Sequence, residues 1–130
     1  MPMLGPHLIL DLYGCRKDVI QDPKIIYRIL DELPNIIGMR KISEPQVYRV
    51  PPNKHTFDKG GVTGFVIIAE SHISIHTFIE QAYASIDIFS CKNFNLEKAI
   101  KYIADQFKPT NIEKQLIIRG KNFQRKIVTS

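Results

Sequence analysis

The chain has 130 residues, 44% apolar and 24% charged, which fits a single globular domain over 1–130 and excludes a disordered or fibrous protein. Its longest apolar run, Gly64 to Ala69, is far short of a membrane-spanning helix, and no leader pattern opens it, so a cytoplasmic protein with no membrane partner is expected. The net charge is +5, but the basic residues are scattered, with a mild excess from Arg119 to Lys126, rather than clustered among aromatics as in a nucleic-acid reader.

In chain order, the first strand is expected over His7 to Tyr13, where Leu8, Leu10 and Leu12 alternate with Ile9 and Asp11. Asp22-Pro23 reads as a helix cap followed by a first-turn proline. Ile25, Ile26, Ile29, Leu30 and Leu33 then form one helical stripe, which Pro34 is expected to stop. Strands follow near Met39 to Val50 and Val62 to Ala69. Between them, Pro51-Pro52-Asn53 and Asp58-Lys59-Gly60-Gly61 bracket a loop. Two more strands are expected near Ile73 to Phe78 and Tyr83 to Cys91. Asn95 caps a second helix carrying Leu96, Ala99, Ile100, Ile103, Ala104 and Phe107 on one face, and Pro109 follows its end. Ile112, Leu116 and Ile118 mark a last strand, and beyond Gly120 the chain is polar.

The order is β-α-β-β followed by β-β-α-β, a βαββ-type repeat. Two helices cannot cover both faces of a six-stranded sheet. The expected fold is therefore an α/β (α+β) two-layer sandwich, an antiparallel sheet with both helices on one face. Several strands are apolar on both faces, Ala84, Ile86 and Ile88 against Tyr83 and Phe89 for example. An uncovered apolar sheet face implies a partner, most simply a second copy of the chain.

The chemistry gathers at Glu70-Ser71, between an apolar strand and His72-Ile73-Ser74-Ile75-His76-Thr77. A serine hydroxyl can attack the carbonyl of its own preceding peptide bond if that bond is strained and the oxyanion is stabilised. The resulting ester can eliminate when a base removes the serine α-proton, and the dehydroalanine left behind hydrolyses to a pyruvoyl group. That ketone forms a Schiff base with a substrate amine and serves as an electron sink, the work of pyridoxal phosphate without a bound cofactor. Ser71 is the candidate precursor. His76, five positions on, carries the side chain suited to proton transfer near neutrality. Thr63 sits eight residues before Ser71 in Gly61-Val62-Thr63-Gly64, so antiparallel pairing can bring its hydroxyl close. Cys91, twenty positions on, is a candidate proton donor. Cys15 and Cys91 lack metal-ligand spacing and are expected as thiols, with no metal site. Taken singly, each of the four is an ordinary turn or strand residue; their joint spacing is what matches a known pattern.

That spacing, with Tyr83-Ala84-Ser85-Ile86-Asp87-Ile88-Phe89-Ser90-Cys91 and the opening Leu4-Gly5-Pro6-His7-Leu8…Leu12-Tyr13-Gly14-Cys15, resembles the proenzyme of the prokaryotic S-adenosylmethionine decarboxylase family from about Leu4 to Arg119. The resemblance implies cleavage between Glu70 and Ser71. It would give a β chain of residues 1–70 and an α chain of residues 71–130 whose pyruvoyl group comes from Ser71. It implies processing roles for His76 and Thr63, proton donation by Cys91, stacking of Phe57 on the substrate's adenine, and a place for Glu80 in the substrate pocket. It also implies protomers paired sheet to sheet as an αββα sandwich, and a product that feeds spermidine and other polyamine synthesis.

The chain departs from the family in two places. Thr63 stands where serine is common, and Phe78-Ile79 where Trp-Pro is common. Some relatives with the same pyruvoyl machinery act on arginine, so a decarboxylase of arginine or another basic amino acid is one alternative. An unprocessed regulatory homologue is another.

Overall fold

Strict alternation builds the sheet. In β1 (Gly5–Tyr13) Leu8, Leu10 and Leu12 are buried while His7, Ile9 and Asp11 are only partly so. The same period of two runs through β4 (Gly61–Ala69), β5 (Ser71–Phe78) and β6 (Tyr83–Ser90). These strands join β2 (Arg40–Lys41), β3 (Gln46–Val50) and β7 (Asn111–Arg119) in one antiparallel sheet of order β2-β4-β5-β6-β1-β7, with β3 also on β4. The computed structural model describes residues 4–57 and 59–123. Asp58 of the expected loop and the end of the basic, polar tail, including Lys126, lie outside the described residues.

Helices α1 (Lys17–Ile20), α2 (Pro23–Ile36) and α3 (Leu96–Phe107) share one core with the buried strand residues. Ile26, Ile29, Leu30 and Leu33 of α2 and Ala99, Ile103 and Phe107 of α3 are buried against Leu10, Val66, Ile75 and Ile86 of the strands. This is the expected two-layer sandwich with helices on one face. Both caps are in place. Asp22 accepts from the Lys24 amide at 2.9 Å, and Asn95 accepts from the Lys98 amide at 3.0 Å. Among the described residues no helix is long and apolar enough to cross a membrane.

Three details differ from the sequence reading. Pro34 does not stop α2. It sits buried inside the helix, and the chain leaves at Gly38, whose φ is 75°. Proline at this point removes one amide bond near the helix end, which the last turn tolerates. The Met39 amide then closes on the Pro34 carbonyl at 2.8 Å. The single strand expected from Met39 to Val50 is two short ones: the Ile42 amide still donates to the Ile67 carbonyl of β4 at 2.9 Å, but residues 43–45 carry no strand pairing, and Pro45 has no amide to give the ladder. Finally, α1 is an additional single turn. It is tied to the sheet by the buried Thr77 hydroxyl, which donates to the Ile20 carbonyl at 2.7 Å and accepts from the Val62 amide at 2.8 Å. Gly61 is required beside it, since a Cβ there would lie 1.7 Å from the Thr77 carbonyl oxygen.

Candidate active site

The sheet face away from the helices carries the chemistry. Register sets its side chains in rows: His7–Phe89–His72–Ile67, then Ile9–Asp87–Ser74–Phe65, then Asp11–Ser85–His76–Thr63. Tyr83 and Phe78 pair at the far end. Phe65 and Ile67 are well exposed for large apolar residues, at 38% and 37%, so this face is open in the single chain.

Ser71 opens β5 directly after the exposed Glu70. Its φ is 115°, a region that side-chain-bearing residues rarely occupy. Such a conformation costs about 1–3 kcal/mol, and here it falls on the residue after the candidate scissile bond. The carbonyl of that bond, Glu70 O, accepts from the Cys91 amide at 3.3 Å. A backbone donor therefore already addresses the oxygen that would carry the oxyanion if Ser71 attacked this bond. Ser71 and Ser90 are cross-strand partners, which puts the half-buried Cys91 beside the cleavage point. Gly5 allows this approach, because a Cβ there would sit 2.0 Å from the Ser90 carbonyl oxygen and 2.8 Å from Cys91 Cα. Neither cysteine is in a disulfide. The other thiol, Cys15, is buried, and desolvation pushes its pKa up to about 11, so it stays an unreactive packed group.

Thr63 and His76 form a second pair. They face each other across β4 and β5, and Thr63 Oγ1 lies 3.1 Å from His76 Nδ1. This pair is five residues along β5 from Ser71, roughly 16 Å at the rise of an extended strand. The structure thus brings Ser71 to Cys91 and Thr63 to His76, but it does not bring the two pairs together within one chain.

Phe57 is 71% exposed, and its ring stacks on Phe78 with centroids 6.0 Å apart and planes at 26°. Both line a cavity of 280 Å³ with Tyr13, Gln81 and Tyr83, at the small end for a ligand site. Glu80 is exposed on the same turn as Gln81 and does not line it. The two tyrosine hydroxyls are committed elsewhere: Tyr83 donates to Asp11 at 2.5 Å and Tyr13 to Glu113 at 2.5 Å. The Glu113 hydrogen bond raises the Tyr13 pKa to about 12, and burial followed by the Asp11 bond raises that of Tyr83. Both therefore remain protonated donors. Sequence reasoning missed Tyr13, Tyr83 and Gln81 as cavity residues. The available signal was aromatic residues clustering at the strand ends beside the Phe57 loop. Among the described residues no group of three or more His, Cys, Asp or Glu side chains is placed to hold a metal ion.

A protein-family model described as S-adenosylmethionine decarboxylase matches residues 6–120. The S-adenosylmethionine decarboxylase proenzyme of Methanococcus aeolicus is 38% identical over 121 residues, 92% of this chain and 97% of the relative. The proenzyme of Archaeoglobus fulgidus is 34% identical over 119 residues, 91% of this chain and 99% of the relative. The crystal structure of the adenosylmethionine decarboxylase from Aquifex aeolicus superimposes with a TM-score of 0.79 at 32% identity, over 99% of this chain and 100% of that one. With nearly the whole domain matched in sequence and in fold, the chain belongs to the S-adenosylmethionine decarboxylase family.

Proposed function

We propose that this chain cuts itself between Glu70 and Ser71 and then decarboxylates S-adenosylmethionine to the aminopropyl donor of polyamine synthesis. The observation that carries the reading is the strained Ser71, at φ 115°, with the Cys91 amide on the Glu70 carbonyl at 3.3 Å. Backbone strain at the residue that attacks and a donor on the oxygen of the bond before it both favour an N-to-O acyl shift. The products would be residues 1–70 and 71–130, the second starting with a pyruvoyl group made from Ser71. That group supplies an electron sink for the amine of the substrate. The Cys91 thiol stands beside it to return a proton. Phe57 and Phe78 offer stacking faces to the adenine, and Glu80, on the turn beside Gln81, is the acidic residue that the family resemblance assigns to the substrate.

A homodimer completes this site. One chain keeps Thr63 and His76 roughly 16 Å from its own Ser71 along an extended strand. A second copy stacked sheet to sheet covers the open face that bears Phe65 and Ile67 and carries its own Thr63–His76 pair and Phe57 toward the first copy's Ser71. This αββα arrangement uses the same surface on both copies, as a two-fold axis demands.

Two measurements test the reading. Intact mass should show two fragments that meet at 70/71, the second blocked by pyruvate. The cleaved protein should release carbon dioxide from carboxyl-labelled S-adenosylmethionine and not from labelled arginine. An uncut chain would favour a regulatory homologue, and release from arginine would move the substrate.

A further inference from the structure

Ser71 has a neighbour that the reading so far leaves idle. Its Oγ lies 3.5 Å from His72 Nδ1. We propose that His72 is the base that takes the Ser71 hydroxyl proton at the start of self-cleavage and hands it to the departing amine. The proposal rests on the self-processing reading above and assigns a step within it.

The chain has four histidines, and three are placed elsewhere. His7 is held by Asp87 at 2.9 Å and by Arg119 at 3.2 Å. His55 is exposed in the loop before β4, and His76 faces Thr63. Only His72 has a ring nitrogen at the Ser71 hydroxyl. The gap of 3.5 Å is longer than a working proton-transfer distance of about 2.6–3.2 Å, and such contacts commonly tighten when the reaction begins. The ring is also supported. It meets Phe89 edge-on, with centroids 6.0 Å apart and planes at 73°. Phe89 in turn is flanked by the His7 ring at 5.3 Å and the Arg119 guanidinium at 5.0 Å.

The step balances without an added reagent. As Ser71 Oγ bonds to the Glu70 carbonyl carbon, its proton passes to His72 Nδ1. The Cys91 amide holds the oxygen that gains the charge. The carbon–nitrogen bond then breaks, and the same proton passes from Nδ1 to the Ser71 nitrogen. An amide has become an ester, and no proton is gained or lost. Removal of the Ser71 α-proton is a separate event, which the family resemblance gives to the residue at His76. Two histidines would thus serve two successive steps.

Cell-free synthesis gives fresh full-length chains whose cleavage is followed on a denaturing gel. His72→Ala should mature about 10²–10⁴-fold more slowly than wild type, and added imidazole should restore much of the rate. Hydroxylamine separates the steps, because it cuts esters. It should cut His76→Ala, where ester accumulates, and leave His72→Ala whole, where ester does not form. His72→Gln keeps bulk against Phe89 without a proton shuttle and should behave like the uncorrected alanine variant. The proposal is overturned if His72→Gln matures at the wild-type rate, if hydroxylamine cuts the His72 variants as fast as His76→Ala, or if imidazole leaves a slowed His72→Ala unchanged, since His72 then only packs. A wild-type chain that stays whole would sink the self-processing reading itself.

Discussion

The Cys91 amide donates to the Glu70 carbonyl at 3.3 Å across the β5–β6 pairing. One residue therefore holds the carbonyl of the bond proposed to be cut through its backbone, and under the same proposal its thiol would serve the pyruvoyl group. If cleavage and turnover both use this residue, they do so through different atoms, so substitutions of the side chain should separate them.

Ser71→Ala should remain one full-length chain with no decarboxylase activity. Only Ser71 supplies the attacking oxygen and the carbons of the pyruvoyl group, and alanine has no nucleophile. Two fragments on a denaturing gel of this variant would mean that the junction lies elsewhere.

The uncut Ser71→Ala chain is also the right background for stability measurements. There, Thr77→Val should lower the thermal midpoint and Thr77→Ser should not. The Thr77 hydroxyl, 4% exposed with its residue, serves the Ile20 carbonyl and the Val62 amide together. Each buried group left without a partner costs about 1–3 kcal/mol. Equal melting of the valine and serine variants by calorimetry would show that the hydroxyl is dispensable.

Thr63→Val should slow maturation by about fivefold, the effect of losing one orienting hydrogen bond of about 1 kcal/mol. Valine keeps the shape but removes the contact with His76 Nδ1 at 3.1 Å. Thr63→Ser keeps the hydroxyl without the methyl and should mature at least as fast as wild type. A valine variant that keeps pace with the serine variant would leave Thr63 as a strand residue only.

Phe57→Ala should raise KM with little change in kcat or in stability. At 71% exposure the ring contributes little to the fold, and beyond its contact with Phe78 it is open to stack a base. Stacking of this kind is worth about 1–3 kcal/mol per base, or a factor of roughly 5 to 150 in kcat/KM. An unchanged KM for S-adenosylmethionine would remove Phe57 from the substrate site.

Local signals in the sequence were the easiest to interpret. Asp22 and Asn95 cap their helices because a cap depends on residues two or three positions away. The alternation of Leu8, Leu10 and Leu12 likewise settles which face of β1 is buried. Pro34 and Pro45 were harder, because the effect of a proline depends on where the helix ends and where the ladder runs. The one-turn α1 is too short for any period to show. At the site, Ser71, Thr63, His76 and Cys91 were legible as a set, but spacing in a sequence carries no distance. Register brings Cys91 back beside Ser71 and leaves His76 five residues down the same strand. The contact between His72 and Ser71 is not legible in the sequence, because it depends on a ring angle and a hydroxyl position that one-dimensional order does not contain.

Cys91 offers the sharpest test of the reaction. After carbon dioxide leaves, the α-carbon of the substrate must gain a proton. An ordinary thiol has a pKa of about 8.5 and is mostly protonated near neutrality, so it can supply one. Cys91 is half-buried beside the residue that would become the pyruvoyl group. Cys91→Ala keeps the backbone amide on Glu70, so cleavage should proceed. Turnover should fall by roughly the 10²–10⁴-fold expected for a lost general acid. Without the thiol, slow protonation at the wrong carbon should pass the substrate's amine to the pyruvoyl group and end activity. Mass analysis of the α chain would then find alanine at its N-terminus, accumulating in step with the loss of carbon dioxide release. A Cys91→Ala protein that cleaves itself, turns over at nearly the wild-type rate and forms no alanine would reduce Cys91 to its backbone role.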